Sequence, residues 1–260
     1  MIEIDQIYNE DCLEGMKRID DASVDCIITD LPYGTTACQW DSVIPFEPLW
    51  EQYRRITKPN AAIVLFGSEP FSSALRMSAI DLYKYDWIWT KNMAAGFLEA
   101  KNKPMKIHEI ISVFSKGACA NGCKNRMVYN PQGLTKTSIL KKNVSHNVYG
   151  NRKSRETGST FVQEQSNYPT SVLSFDIEPL STRFHPTQKP VDLLRYLIRT
   201  YTDTYNLILD SCMGSGTTAI ACLKERRHFL GFELNKEYFD IAQRRIALER
   251  SQPTLDFGDG

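Results

Sequence analysis

Residues 29–34, Thr29-Asp30-Leu31-Pro32-Tyr33-Gly34, bring a carboxylate, a proline and an aromatic ring close together in the chain. The carboxylate of Asp30 can accept a hydrogen bond from an amine. Pro32 fixes the chain locally, and the carbonyls beside it are available acceptors. Tyr33 offers a flat face on which a base can stack. The β-rich apolar run Val24-Asp25-Cys26-Ile27-Ile28-Thr29 leads into this turn. The turn is therefore expected at the carboxyl end of a strand, where open α/β sheets bind their ligands. An ordinary Pro-Tyr-Gly turn carrying an exposed acid has the same composition, so these residues alone leave both readings open.

A second constellation lies far downstream. Leu207-Ile208-Leu209-Asp210 reads as a strand, Gly214-Ser215-Gly216 as a tight turn, and Thr217 opens a helix. Glycines there permit a sharp turn and close approach of backbone to ligand. Glu233, 23 residues after Asp210, ends the following strand. A carboxylate so placed can accept both hydroxyls of a ribose. Gly-Ser-Gly-Thr-Thr lacks the lysine of a phosphate-binding loop, which argues against an ATPase. The spacing also departs from the Gly-x-Gly-x-x-Gly of dinucleotide enzymes. By itself the turn fits a nucleoside site and a plain structural turn about equally.

The elements that must hold these turns form two strand-helix alternations. In the first, about 1–115, Phe46 to Thr57 has helical spacing with Leu49, Tyr53 and Ile56 on one face. Residues 61–66 read as a buried strand, Ser68 as the cap of a helix to about Ile80, and 85–90 and 107–114 as further strands. In the second, about 185–250, Val191 to Tyr201 is a helix with Leu194, Leu197 and Ile198 inward. Thr217 to Arg227 is the next helix, His228 to Glu233 a strand, and Asn235 caps a last helix to about Arg250. Near-continuous apolar strands between helices predict an α/β, doubly wound sheet covered on both faces. From Ser251 to Gly260 a flexible tail is expected.

The stretch 116–184 between them is polar. From Lys116 to Thr160 it carries nine basic residues against one acidic residue, Glu156. Lys124, Arg126, Lys136, Lys141, Lys142, Arg152, Lys153 and Arg155 are candidate phosphate contacts. A solvated insertion would have a similar composition.

The 260 residues suffice for a large core, and the formal net charge is zero, so any polyanion signal must be local. No apolar run approaches the ~18 residues of a membrane span. The acidic start Met1-Ile2-Glu3-Ile4-Asp5 lacks signal-peptide character, so a cytoplasmic location and no membrane partner are expected. Seven irregularly spaced cysteines fit free thiols in a reducing compartment. Cys119 and Cys123 have no second ligand pair nearby, so no metal site is expected.

Taken together, the two turns carry a resemblance. Asp30-Leu31-Pro32-Tyr33 resembles the Asp-Pro-Pro-Tyr signature of amino-methyltransferases, and Asp210 to Thr218 resembles their Asp-Pro-Phe-x-Gly-Ser-Gly-Thr-Thr loop. His185-Pro186-Thr187-Gln188-Lys189-Pro190 is similar to the element that precedes that loop, and Asn9-Glu10-Asp11-Cys12-Leu13 to a Gly-Asp-Cys-Leu element. The acid turn comes first, which is the circularly permuted order of the β group of S-adenosylmethionine-dependent DNA amino-methyltransferases. Leu31 replaces the first proline, and Ser211-Cys212-Met213 replaces Pro-x-Phe, so an aromatic near the sulfonium is lacking.

The resemblance implies a Rossmann-like methyltransferase sheet interrupted by a target-recognition region. It also implies methyl transfer from S-adenosylmethionine to adenine N6 in double-stranded DNA. Asp30 and the Leu31 or Pro32 carbonyl would hold the amine, and Tyr33 and Phe114 would clamp the flipped base. Asp11 would meet the cofactor adenine, Glu233 its ribose, Asp210 and Gly214 its methionine part, and Thr187 and Lys189 its carboxylate. Cys12, Asp30, Gly216, Thr217 and Leu234 complete the implied cofactor site. Phe114 reads equally well as an ordinary core aromatic. Cytosine N4 transfer is the rival, though its signature usually begins with Ser; an inactive DNA-binding homologue is the other. Cytosine carbon-5 chemistry needs a nucleophilic cysteine, typically in Pro-Cys, and the chain has no such pair. Beyond DNA, the candidate partners are a second copy of the chain and a cognate restriction endonuclease.

Overall fold

The computed structural model describes residues 2–34, 42–142, 159–179 and 188–252. It divides into a main unit, Met1–Asn130 with Ser171–Gly260, and a second unit, Pro131–Thr170.

The main unit is built on one sheet of eight strands. In sequence these are β1 (Gln6–Tyr8), β2 (Val24–Thr29), β3 (Thr57–Gly67), β4 (Tyr83–Ala95), β5 (Lys106–Ser115), β8 (Val172–Ser174), β9 (Leu207–Asp210) and β10 (His228–Phe232). Their order across the sheet is β1-β10-β9-β2-β3-β5-β4-β8. All pairs are parallel except those of β5, which runs antiparallel to both β3 and β4. The expected doubly wound sheet is present, with one strand reversed.

Successive side chains of a strand point to opposite faces, and both faces are covered here. Cys26, Ile28, Val64 and Phe66 join Leu194, Ile198, Ala221 and Ile246 in one core layer. Ile27, Ile63 and Leu65 join Met16, Leu49, Tyr53 and Leu75 in the other. This double burial is why β2 and β3 read as continuous apolar runs. Each fully buried isoleucine or leucine contributes about 1.5–3 kcal/mol.

The helices are α1 (Cys12–Met16), α2 (Phe46–Ile56), α3 (Phe71–Ser78), α4 (Val191–Tyr201), α5 (Thr217–Lys224) and α6 (Lys236–Ser251). The predicted stripes are buried: Leu49, Tyr53 and Ile56 on α2, and Leu194, Leu197 and Ile198 on α4. Asn235 caps α6 as expected, accepting the amides of Glu237 and Tyr238. Helix α3 starts later than its Ser68 cap suggested. Pro70 stands at the cap instead, where its missing N–H costs nothing.

The second unit is an antiparallel ribbon of β6 (Thr135–Lys142) and β7 (Thr160–Ser166). It is narrower than the 116–184 region expected. Met127 and Leu173, on either side of it, are buried in the main core, and β8 pairs with β4. Apolar anchors thus hold these flanks to the main unit despite their polar composition. Helix α6 continues through Ser251, and the expected tail lies from residue 253 outside the described residues. Among the described residues no helix is long and apolar enough to cross a membrane.

Candidate active site

Strands β2 and β9 lie side by side and parallel, with Cys26 opposite Ile208 and Ile27 opposite Leu209. The acid turn and the glycine turn therefore leave the sheet at the same edge, on neighbouring strands. From β2 the chain winds outward to β3, and from β9 it winds the other way, to β10, with β1 beyond. This is the topological switch point at which open α/β sheets form their ligand crevice. A cavity of about 860 Å³ occupies it, lined by Asp11, Asp30, Tyr33, Lys189, Gly214 and Glu233 among others. That volume suits a nucleoside-sized ligand.

At the acid turn, Asp30 accepts the Tyr33 hydroxyl at 2.5 Å on one oxygen and the Lys189 ammonium at 2.5 Å on the other. Lys189 also lies 3.4 Å from Glu109, and Glu109 pairs in turn with Lys91. The four groups alternate in sign along a line that enters the cavity wall. The Lys189 side chain is only 8% exposed, so an unpaired charge there would be costly. Burial pushes the Asp30 carboxyl up and the Glu109 charge adds to this, while Lys189 and Tyr33 pull it back. Burial opposes the Lys189 ammonium, but the two carboxylates outweigh it and raise its pKa. The Tyr33 ring stacks 5.0 Å from Phe71 at a 30° tilt.

The two turns are tied together beneath the cavity. Buried Asp210 accepts the Thr29 hydroxyl at 2.6 Å, the Thr218 hydroxyl at 2.5 Å and the Cys212 amide at 3.0 Å. One carboxylate thus joins the end of β2, the end of β9 and the first turn of α5. Burial raises its pKa to about 6, against the pull of those donors. Asp210→Ala would strip the buried Thr218 hydroxyl of its acceptor and leave the Thr29 hydroxyl and Cys212 amide only their longer contacts, to Ser211 and to Thr29. It should destabilise the protein by about 1–3 kcal/mol, read as the midpoint shift in urea unfolding. An unchanged midpoint would show that the latch carries no stability.

In the glycine turn, Gly214 has φ +55° and donates its amide to one Glu233 oxygen at 2.7 Å. The other Glu233 oxygen accepts the Asn235 amide at 2.7 Å. The carboxylate is thereby held rigid at the cavity wall, and burial raises its pKa. Asp11 caps α1 with one oxygen, which accepts the Leu13 and Glu14 amides; its second oxygen takes no part in the cap. Cys12, Leu31, Pro32, Asp210, Thr217 and Leu234 also line the cavity.

Several expected site residues stand elsewhere. Gly216 is not among the lining residues. It has φ +84°, and a Cβ there would meet Ala242 of α6 at 3.0 Å, so it serves turn geometry and helix packing. Phe114 is fully buried against Trp50 and Tyr83, with ring centroids 4.9 and 5.7 Å away. It lies outside the cavity because β5 is reversed: its carboxyl end reaches the edge opposite Asp30. The same reversal carries exposed Lys124 and Arg126 to that far edge, where the Asn125 side chain binds the Pro59 carbonyl and the Val128 amide that of Asn60. Lys136, Lys141 and Lys142 are exposed on β6 of the second unit. Thr187, Arg152, Lys153 and Arg155 lie outside the described residues.

Glu109, Gln188 and Phe66 line the cavity and were not foreseen. A charge inside the apolar run 106–115 was the available signal for Glu109. Among the described residues no cluster of three or more His, Cys, Asp or Glu side chains could hold a metal ion.

Comparison with known proteins shows the family and the fold. The family described as DNA methylase matches residues 24–244. The Type II methyltransferase M1.MboII of Moraxella bovis is 26% identical over 93% of this chain and 96% of its own. M.HindIII of Haemophilus influenzae is 24% identical over 95% and 97%. Among solved structures, the M1.HpyAVI-SAM complex superposes with a TM-score of 0.63 at 24% identity, covering 93% of this chain and 98% of that one. The cytosine-N4-specific PvuII DNA methyltransferase gives 0.65 at 14% identity, covering 96% and 87%.

Proposed function

The chain belongs to the DNA methylase family of N6/N4 amino-methyltransferases, and we propose that it methylates the N6 amine of adenine in double-stranded DNA. The observation that carries this reading is the meeting of the Asp30 turn and the Gly214 turn in one cavity at the switch point.

S-adenosylmethionine is the cofactor and supplies an electrophilic methyl group. The residues present fit it. Glu233 offers a rigid carboxylate to ribose hydroxyls, Asp11 an oxygen to an adenine amine, and Lys189 a cation to the methionine carboxylate.

An exocyclic amine is a poor nucleophile because its lone pair is delocalised into the ring. Hydrogen bonds donated by its two N–H groups to Asp30 and to the Leu31 or Pro32 carbonyl localise that pair. These bonds strengthen as positive charge develops on nitrogen, so they lower the barrier rather than merely bind the base. The target must first leave the helix, since its amine is engaged in pairing. Tyr33 then stacks on it, a contact worth about 1–3 kcal/mol. An acid at position 30 rather than a serine favours adenine. Relatives named Type II methyltransferases support reading the chain as the modification half of a restriction system, with a cognate endonuclease as its partner.

The ribbon of the second unit is the proposed target-recognition element. A two-stranded ribbon fits the major groove, and Lys136, Lys141 and Lys142 would meet phosphates. Lys141→Ala with Lys142→Ala should weaken binding uniformly across sequences and lower the salt slope by about one per lysine. Unchanged affinity and slope would place recognition elsewhere.

Nucleoside analysis of DNA methylated by the purified protein tests the base assignment. N6-methyldeoxyadenosine is expected; N4-methyldeoxycytidine as the product would overturn it.

A further inference from the structure

Strands β4 and β5 run past the carboxyl edge of the sheet. The last described pair of β3 with β5 is Gly67 with Ile110, whereas β4 and β5 still pair at Ala95 with Lys106. Glu109, at the foot of this overhang, touches Lys189, which touches Asp30. The hairpin therefore rises from the rim of the cavity, and Lys106 stands roughly 10 Å above Glu109 along the strand.

At its tip Gly96, with φ +90°, turns the chain into a single 3-10 turn, Phe97–Glu99. Phe97 is 78% exposed and Leu98 97%. Met93 and Met105 on the arms are exposed as well. Large apolar side chains clustered at a projecting tip mark an interaction site. Residues 91–106 also carry Lys91, Lys101, Lys103 and Lys106 against Glu99 alone, and Glu99 is neutralised by Lys103. Lys91 is engaged by Glu109, so the tip is apolar at its end with Lys101 and Lys106 as the net positive charge beside it. Duplex DNA has the complementary profile: phosphates outside, stacked apolar base faces within.

We propose that Phe97 and Leu98 form a wedge that enters the duplex at the target and occupies the space the flipped base leaves, with the flanking lysines on neighbouring phosphates. Apolar side chains inserted between base steps unstack and kink DNA in this way. The proposal rests on duplex DNA being the substrate. In this arrangement the projecting tip would meet the duplex, while the extruded base would reach down to Asp30 and Tyr33 in the cavity at the hairpin's foot. The wedge thereby offsets the unpairing that base extrusion requires.

The test is the double variant Phe97→Ala, Leu98→Ala, with labelled methyl transfer measured at saturating cofactor. Two duplexes carry a site mapped by modification sequencing: one fully paired, one with the target base facing an abasic position. The variant should be about 10–100-fold slower on the paired duplex, as expected for losing an aromatic base contact. It should come within about threefold of wild type on the opened one. Flipping, read by 2-aminopurine fluorescence at the target, should fall in parallel, and calorimetric cofactor affinity should not change. An unchanged rate on the paired duplex, or an equal loss on both duplexes, would overturn the wedge. So would a change in sedimentation showing that the tip joins two copies of the chain. The label is counted on either base, so a cytosine product would overturn the adenine assignment and leave the wedge standing. No transfer by the wild type would overturn the methyltransferase reading itself.

Discussion

Asp30→Ala should reduce methyl transfer by about 10³-fold or more while the protein still folds and binds its cofactor. Removing one preorganised partner of a developing charge already costs about 10²–10³ in kcat. Asp30 is the only carboxylate in the turn proposed to hold the amine. The fold should survive because Lys189 keeps a second carboxylate, Glu109, 3.4 Å away, so the variant leaves no buried lysine uncompensated. Cofactor affinity should persist because Glu233, Gly214 and Asp11 are held by bonds that do not involve Asp30. Single-turnover transfer and calorimetry, run on the same preparation, check both halves. Retained activity would remove Asp30 from the chemistry.

Lys189→Met should have the next largest effect, and its signature is in the pH profile. In the proposed mechanism Asp30 accepts the amine's hydrogen bond most strongly when ionised. Burial and Glu109 raise its pKa, while Lys189 and Tyr33 hold it down. Activity is therefore present above that raised pKa and lost as pH falls through it. Without the ammonium the carboxyl rises further, and the acidic limb of kcat should move to higher pH. At neutral pH, kcat should fall by about 10²-fold. Lys189→Arg keeps the charge and should leave the limb nearer its original place. Tyr33 faces Asp30, and Lys91 faces Glu109; neither is altered in these variants. A limb that stays fixed in Lys189→Met would show that the ion pair does not tune Asp30.

The fold was legible where burial is two-sided. The runs Val24–Thr29 and Leu207–Asp210 are apolar because helices cover both faces, and both strands appear as expected. The stripes of α2 and α4 were equally clear, since each buries one face. Strand direction was not legible: nothing in the composition of 106–115 distinguishes a reversed strand from a parallel one. That one feature misplaced Phe114, Lys124 and Arg126, all of which follow from which edge the strand ends at.

At the site, side-chain chemistry and spacing pointed to Asp30, Tyr33, Asp210 and Glu233, and the structure brings all four to one cavity. Their roles within the fold needed coordinates. Asp210 looked like a ligand contact, yet three of its bonds hold the two turns together. Gly216 looked like part of the ligand cradle, yet it makes room for α6. Glu109 was hidden because its partners Lys91 and Lys189 are 18 and 80 positions away.

The central claim is spatial: cofactor and target amine meet in the single cavity between the β2 and β9 turns. A crystal structure with S-adenosylhomocysteine tests it directly. The ribose hydroxyls should lie on Glu233 and the thioether sulfur should face Asp30 across the cavity. A bound cofactor whose sulfur points away from Asp30, or whose ribose leaves Glu233 uncontacted, would contradict the account.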